Sequence, residues 1–365
     1  MKLELEKLTK DYEGHRAVDG IDMTVEDGEL VVFLGHSGCG KTTTLMMVAG
    51  LIAPTSGDVR FDGKSVLQVH PKDRHVGMVF QSYALYPHMT VAENLTFALK
   101  LQGVSAHQRR KRAEEIADLL RLGRLLGRKP GDLSGGEQQR VSVGRALVKE
   151  PRLLLFDEPL SNLDAGLRMG LRSEIKRLQR RTGVTSVYVT HDQAEAMAMA
   201  DRVAVIMDGK LVTMASPGEL HDRPATRRIA EFIGVPAMNF FDADLQEDAG
   251  RRVAVLGAAS LTLDPARTPR DGERSVVLGI RPQHLEEAVR GVACQVMSVE
   301  HLGRDLLVTV RLGATDARLY ADPASQVHAG QTIRVAFDMG QAQFFDRETG
   351  ASLLWNGSGP TQPSG

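Results

Sequence analysis

Over residues 1–235, short apolar runs of strand length alternate with longer stretches whose apolar residues recur at helical spacing. Leu30–Leu34 reads as a buried strand, a glycine-rich turn follows, and a helix is expected over Lys41–Ala49. Leu167, Leu171, Ile175 and Leu178 stand four, four and three residues apart, which places them on one helix face. Val184–Val189 then reads as a strand and Gln193–Ala200 as a helix. Val203–Met207 reads as a strand turned by Asp208-Gly209, a hairpin signal. This alternation predicts an α/β domain.

Beyond Val235-Pro236 the texture changes to short strands separated by Gly, Asp and Pro: Val253–Leu256, Val276–Ile280, Leu306–Val310 and Thr332–Phe337. In the last, Ile333, Val335 and Phe337 alternate with Thr332, Arg334 and Ala336, as a half-buried strand requires. A small β-barrel or sandwich is expected over residues 236–355, followed by a flexible Gly/Ser/Pro-rich tail at 356–365. Two domains also suit a chain of 365 residues, because single cores stop growing at about 250–300 residues.

Composition narrows the function classes. A formal net charge of −1 supplies no basic field for nucleic acid, so no nucleic-acid partner is expected. The run Arg109-Arg110-Lys111-Arg112 is followed at once by Glu114, Glu115 and Asp118, the pattern of a solvated helix face. The two cysteines, Cys39 and Cys294, lie far apart and offer neither a disulfide framework nor zinc spacing, in keeping with a reducing compartment. No apolar run approaches the roughly 20 residues that span a bilayer, and the first ten residues lack a signal-peptide core.

Two segments carry chemistry. Gly35-His36-Ser37-Gly38-Cys39-Gly40-Lys41-Thr42 satisfies the phosphate-loop pattern, with a strand before it and a helix after. Its glycines let backbone N–H groups curl into an anion nest at a helix N-terminus. Lys41 is expected on the β- and γ-phosphates of ATP and the Thr42 hydroxyl on Mg²⁺. Leu153–Phe156 is an apolar strand ending in Asp157-Glu158, where the crevice of an α/β sheet opens. Asp157 is expected to hold Mg²⁺ through water and Glu158 to act as general base on the attacking water. Taken alone, such a strand end is also compatible with a polar sheet rim, the lesser reading downstream of a phosphate loop.

Leu133-Ser134-Gly135-Gly136-Glu137-Gln138-Gln139-Arg140 precedes the acidic strand and opens a helix expected to run to Val148. It is a second N-terminal anion cradle, with the Ser134 hydroxyl as an added donor. One site rarely needs two cradles from one chain, so this one is expected to meet the γ-phosphate bound by a second subunit.

With these motifs in order, the chain resembles the ABC ATPases over essentially its whole length. The aromatic Tyr12, the loop 35–42, Gln81, the signature 133–140, Asp157-Glu158, Ser161-Asn162-Leu163-Asp164 and His191 follow the family sequence of motifs. The resemblance implies that Tyr12 stacks on adenine and that Gly35, His36, Ser37, Gly38, Cys39, Gly40, Lys41, Thr42 and Thr43 surround the phosphates. It implies that Gln81 reaches Mg²⁺ and the attacking water, and that Asp164 crosses a dimer interface near the partner's phosphate loop. His191 is implied to contact the γ-phosphate and position Glu158. Ser134, Gly135 and Gly136 are implied to close the site from the other subunit. His36 stands where proline is frequent, Glu137 where glutamine is, and Asn162 where alanine is; none removes a required donor.

The resemblance further implies a homodimer on the cytoplasmic face of the membrane, bound to two permease subunits and served by an extracytoplasmic solute-binding protein. Ser82–Val91, with Tyr83, Tyr86 and Pro87, resembles the surface that receives a permease helix. Gly279–Leu285, Val299–Gly303 and Phe344–Gly350 resemble the OB-type (TOBE) regulatory domain of carbohydrate importers, the maltose and glycerol-3-phosphate class. Polyamine, iron and molybdate importers share much of this layout, so the solute stays open, with sugar-like solutes favoured. A non-transport ABC ATPase would need a long coiled coil or a second cassette, and neither is present.

Overall fold

The computed structural model describes residues 1–269, 272 and 274–355, and it divides into two compact units, Met1–Pro217 and Gly218–Gly365. The expected flexible tail, 356–365, lies outside the described residues.

In the first unit a six-stranded sheet runs in the order Lys210–Ala215, Arg202–Met207, Leu30–Leu34, Thr185–Thr190, Leu153–Asp157, Val76–Val79. All neighbours are parallel except the Lys210–Ala215 hairpin strand, which turns at Asp208-Gly209 as expected. Leu30–Leu34 and Leu153–Asp157 are buried at every position, which is why they read as unbroken apolar runs rather than as alternation. The Leu167, Leu171, Ile175, Leu178 face lies on an 18-residue helix, Ala165–Thr182, with the last three buried. An antiparallel sheet of His15–Val25, Leu3–Tyr12, Ser56–Phe61 and Lys64–Ser65 shares the core formed by Leu3, Leu5, Leu8, Phe33 and Leu155. Sequence patterning had not predicted that sheet.

The second unit is a β-sandwich. Five antiparallel strands (Ala259–Thr262, Arg251–Leu256, Asn239–Asp248, Ser275–Ile280, Gln343–Asp346) form one sheet. Four more (Thr315–Ala321, Leu306–Leu312, Leu285–His301, Thr332–Phe337) form the other. Leu278, Val296, Val308, Leu319, Val335 and Phe344 fill one core between the sheets. Ile333 and Val335 point inward while Arg334 is exposed, as their alternation requires.

Residues 218–235, which the sequence reading placed with the first domain, cluster with the second unit. The cause is a buried cation: the Arg281 guanidinium donates to the Ile233 carbonyl at 2.6 Å and to the His221 carbonyl at 2.8 Å. Burial lowers its pKa to about 10. Gln343 adds a bond to the Asp222 carbonyl at 3.0 Å, and the Arg227 amide donates to the Gly350 carbonyl at 2.8 Å. A segment that takes up the buried polar ends of Arg281 and Gln343 belongs to the sandwich whatever its helical content.

One core residue of the first unit is poorly satisfied. Gln139, on the helix Gly135–Leu147, is 1% exposed, and neither amide atom has a hydrogen-bond partner among the described residues. It lies among Leu120, Val143, Leu171, Ile175 and Leu178. Orphaned buried polar groups cost about 1–3 kcal/mol each, and an apolar group of similar shape removes that cost. Gln139→Met is therefore expected to raise stability by about 1 kcal/mol, read as a higher urea midpoint at unchanged slope. An unchanged or lower midpoint would mean the amide is satisfied in solution.

Candidate active site

The Leu30–Leu34 strand lies between Thr185–Thr190 and Arg202–Met207, so the chain leaves the middle of the sheet at Gly35. A side chain has no room there: a Cβ on Gly35 would come within 2.1 Å of the Ile206 carbonyl oxygen. Gly40 has φ +98°, and a Cβ on it would meet the Ala17 carbonyl oxygen at 2.3 Å. The turn therefore needs glycine at both ends, for close approach at one and for a left-handed backbone at the other. Gly40 caps the helix Lys41–Ala49, whose first turn carries no acidic residue to neutralise its amide end. Lys41 is 4% exposed and folds back on the loop, its ammonium donating to the carbonyls of Gly35 and His36 at 2.8 Å each.

The Leu153–Asp157 strand delivers Asp157 beside this helix, and the Thr42 hydroxyl donates to Asp157 Oδ1 at 2.7 Å. Burial pushes the Asp157 carboxyl above the usual carboxylate range, and the Glu158 charge adds to this; the Thr42 hydrogen bond and Lys41 oppose it. Glu158 turns sharply out of the sheet with φ +41°. Its amide donates to the Val189 carbonyl at 3.1 Å, and its carbonyl accepts from the Ser161 amide and hydroxyl at 3.2 and 2.9 Å. A glutamate in left-handed backbone costs about 1 kcal/mol, which these bonds offset. The turn aims its carboxylate at His191, with Glu158 Oε2 3.1 Å from His191 Nδ1. His191 is half exposed at the end of the Thr185–Thr190 strand. The structure thus gathers Lys41, Thr42, Asp157, Glu158 and His191 at one sheet end.

Tyr12, Gln81, Asp164 and Ser134 make no side-chain hydrogen bond to these five among the described residues. Tyr12, at the end of the Leu3–Tyr12 strand, is 46% exposed, with Lys10 Nζ 5.2 Å from its ring centre. Gln81 is exposed; its backbone carbonyl accepts from Asn162 Nδ2 at 3.0 Å, and among the described residues no hydrogen bond joins its side chain to Asp157, Glu158 or His191. Asp164 caps the Ala165–Thr182 helix by accepting from the Leu167 amide at 2.9 Å. Ser134 caps the Gly135–Leu147 helix, and no hydrogen bond among the described residues links it to Lys41 or Glu158.

Three further contacts had not been anticipated. Glu137 accepts from the Ser134 amide and hydroxyl at 2.8 Å each, a capping box announced by the Ser-x-x-Glu spacing. These bonds, backbone first, hold its carboxyl below the usual range. Arg145 and Ser142, on the same helix, donate to the carbonyls of Ala84 and Tyr83. Glu195 is 4% exposed and accepts from Tyr188 and Thr190, beneath the His191 turn; no local spacing announces it.

The chain also has known relatives. The chain matches the ABC transporter family over residues 18–161, the MalK OB fold domain over 234–285 and the TOBE domain over 278–345. It is 44% identical to a sulfoquinovosyl glycerol transport ATP-binding protein of Agrobacterium fabrum, covering 96% of this chain and 99% of that one. It is 46% identical to an sn-glycerol-3-phosphate import ATP-binding protein of Chromobacterium violaceum, covering 95% of each. It is 45% identical to a trehalose/maltose import ATP-binding protein of Thermococcus litoralis, covering 93% and 95%. A dimeric ATP-binding cassette in a post-hydrolysis state with ADP and Pi superposes with a TM-score of 0.54 at 32% identity, over 59% of this chain and 98% of that one. A phosphate loop, an acidic strand end and full-length kinship of this order leave one assignment: the chain belongs to the ABC transporter family, as an ATP-hydrolysing, ATP-binding subunit.

Proposed function

We propose that this subunit energises import of a sugar or sugar-like solute through partner permeases, hydrolysing ATP at sites shared between two copies. The observation that carries the catalytic part is the pairing of Glu158 with His191 next to the Thr42–Asp157 contact at the mouth of the phosphate loop. Lys41 exchanges its loop carbonyls for phosphate oxygens. Glu158 takes the proton of the attacking water, and His191 holds that carboxylate in place and reaches the γ-phosphate. Gln81 approaches the same water, and Tyr12 offers its exposed ring to adenine.

The hydroxyl of Thr42 and the carboxylate of Asp157, 2.7 Å apart, are hard oxygen donors of the kind Mg²⁺ takes, with Gln81 a third. When bound there, Mg²⁺ supplies charge neutralisation on the phosphates. Ser134, Gly135 and Gly136 form a helix N-terminus of their own, joined to Lys41 by no hydrogen bond among the described residues, which favours their acting on the ATP of a second copy, with Asp164 at that boundary. The likeness to a dimeric cassette supports the same arrangement.

Full-length relatives named for glycerol-3-phosphate, trehalose/maltose and sulfoquinovosyl glycerol support the solute class. Likeness to import ATP-binding subunits supports a permease contact at the cytoplasmic membrane face, and no described helix is long and apolar enough to cross a membrane. A groove of about 560 Å³ lined by Met89, Phe97, Lys100, Arg109 and Glu114 adjoins the Ser82–Val91 segment and suits a permease helix. Residues 236–355 are assigned to regulation. Co-purification with the permeases and a solute-binding protein, followed by hydrolysis assays across solutes, tests the whole reading. A sugar-type solute should stimulate turnover several-fold. Stimulation by a polyamine alone would move the solute class, and recovery of no membrane partner would overturn transport.

A further inference from the structure

A buried carboxylate in an apolar core is expensive unless hydrogen bonds compensate it. Glu195 lies at 4% exposure on the helix Gln193–Met199, and its Oε2 accepts from Tyr188 Oη at 2.9 Å and Thr190 Oγ1 at 2.8 Å. A hydroxyl has one proton. With that of Thr190 given to Glu195, the Thr190 oxygen has only lone pairs to offer, and the Asp192 amide donates to it at 3.0 Å. The bonds run in one direction, from the Asp192 amide through Thr190 to Glu195.

On its other side Asp192 is equally committed. Its Oδ1 accepts from the amides of Ala194 and Glu195 at 2.7 and 3.2 Å, and its Oδ2 lies 3.7 Å from Arg168 Nη1. Arg172 and Lys176 fix the same short helix by donating to the carbonyls of Ala194 and Ala198 at 3.0 and 2.7 Å. His191 therefore stands between two residues whose side chains are both held by partners, and its half-exposed ring points at Glu158.

We propose that Glu195 is a positioning residue for hydrolysis: through Thr190 it fixes the backbone that carries His191, and so sets the 3.1 Å contact between His191 and Glu158. The proposal rests on the reading of Glu158 and His191 as the hydrolytic pair. Thr190→Val keeps the shape of the side chain and removes both bonds. Glu195→Met removes the acceptor, whereas Glu195→Gln keeps it. Tyr188→Phe cuts the network on the side that does not lead to His191.

The test is hydrolysis of labelled ATP by the full chain under single-turnover conditions, with KM measured separately. Thr190→Val and Glu195→Met are expected to slow hydrolysis about 10- to 100-fold with KM little changed, as a misplaced catalytic group does. Glu195→Gln and Tyr188→Phe should retain most of the rate. In a His191→Ala background, Thr190→Val should cost nothing further, because residues acting through one another are not additive. Should Glu195→Met fail to fold, Thr190→Val carries the comparison alone. Equal losses in both backgrounds would overturn the proposal while leaving the site intact. An unimpaired His191→Ala would overturn the reading of the site, and this proposal with it.

Discussion

Glutamine at position 158 is expected to cut ATP turnover by about 10²–10⁴-fold while leaving nucleotide binding in place. The substitution keeps the size and shape of the side chain, so the left-handed turn at 158 and its bonds to Val189 and Ser161 should persist. What it removes is the basic oxygen facing His191, the group placed to accept a proton from water. A subunit that binds ATP without consuming it should accumulate as a closed dimer, visible as a shift in gel filtration on adding ATP and absent with ADP. Wild-type turnover by Glu158→Gln would remove the general base from this position, and a monomer in the presence of ATP would separate hydrolysis from closure.

The second large effect concerns which chain completes which site. Lys41→Ala removes the ammonium that lies against Gly35 and His36, and Gly135→Asp puts a carboxylate into the other cradle. A Cβ at Gly135 presses on the end of the Leu163 side chain, at 2.9 Å, and touches the Tyr83 hydroxyl at 3.7 Å, both side-chain ends that can shift, so the fold should adapt. Each variant alone is expected to lose at least about 10²-fold in turnover, the scale of removing one preorganised donor. Mixed together they should recover activity. In a mixed dimer the intact loop of the Gly135→Asp chain faces the intact signature of the Lys41→Ala chain, which restores one complete site. If each chain built its site alone, mixing would restore nothing, and measured rates would stay at the level of the separate variants.

The catalytic half-site was legible because its parts are contiguous and their chemistry is local. The 35–42 loop needs glycine where a Cβ would strike Ile206 or Ala17, and the 153–157 strand needs apolar residues because it is buried on both faces. The antiparallel sheet was not legible for an equally concrete reason. Leu3 and Leu5 alternate, but register shifts between Leu5 and Leu8 and between Leu8 and Lys10 break the period of two, with Lys7 at φ +46°. The division at Pro217 depends on Arg281 reaching back about 50–60 residues to Ile233 and His221, a contact no window of local pattern contains. Glu195 was hidden in the same way: in the sequence it is one polar residue in a short helical stretch, and only folding buries it beneath the His191 turn.

The clamp on the segment after Gln81 has an energetic consequence. Tyr83 and Ala84 both occupy left-handed backbone, at φ +59° and +49°, and their carbonyls are held by Ser142 and Arg145 of the helix that begins at the signature. Each such residue lies about 1–2 kcal/mol above its relaxed conformation, so the turn as a whole holds about 2–4 kcal/mol. Coupling free energies between distant sites commonly amount to about 1–3 kcal/mol. The three hydrogen bonds from Ser142 and Arg145 return free energy on that same scale, so the turn is held near balance against the helix that begins at the signature.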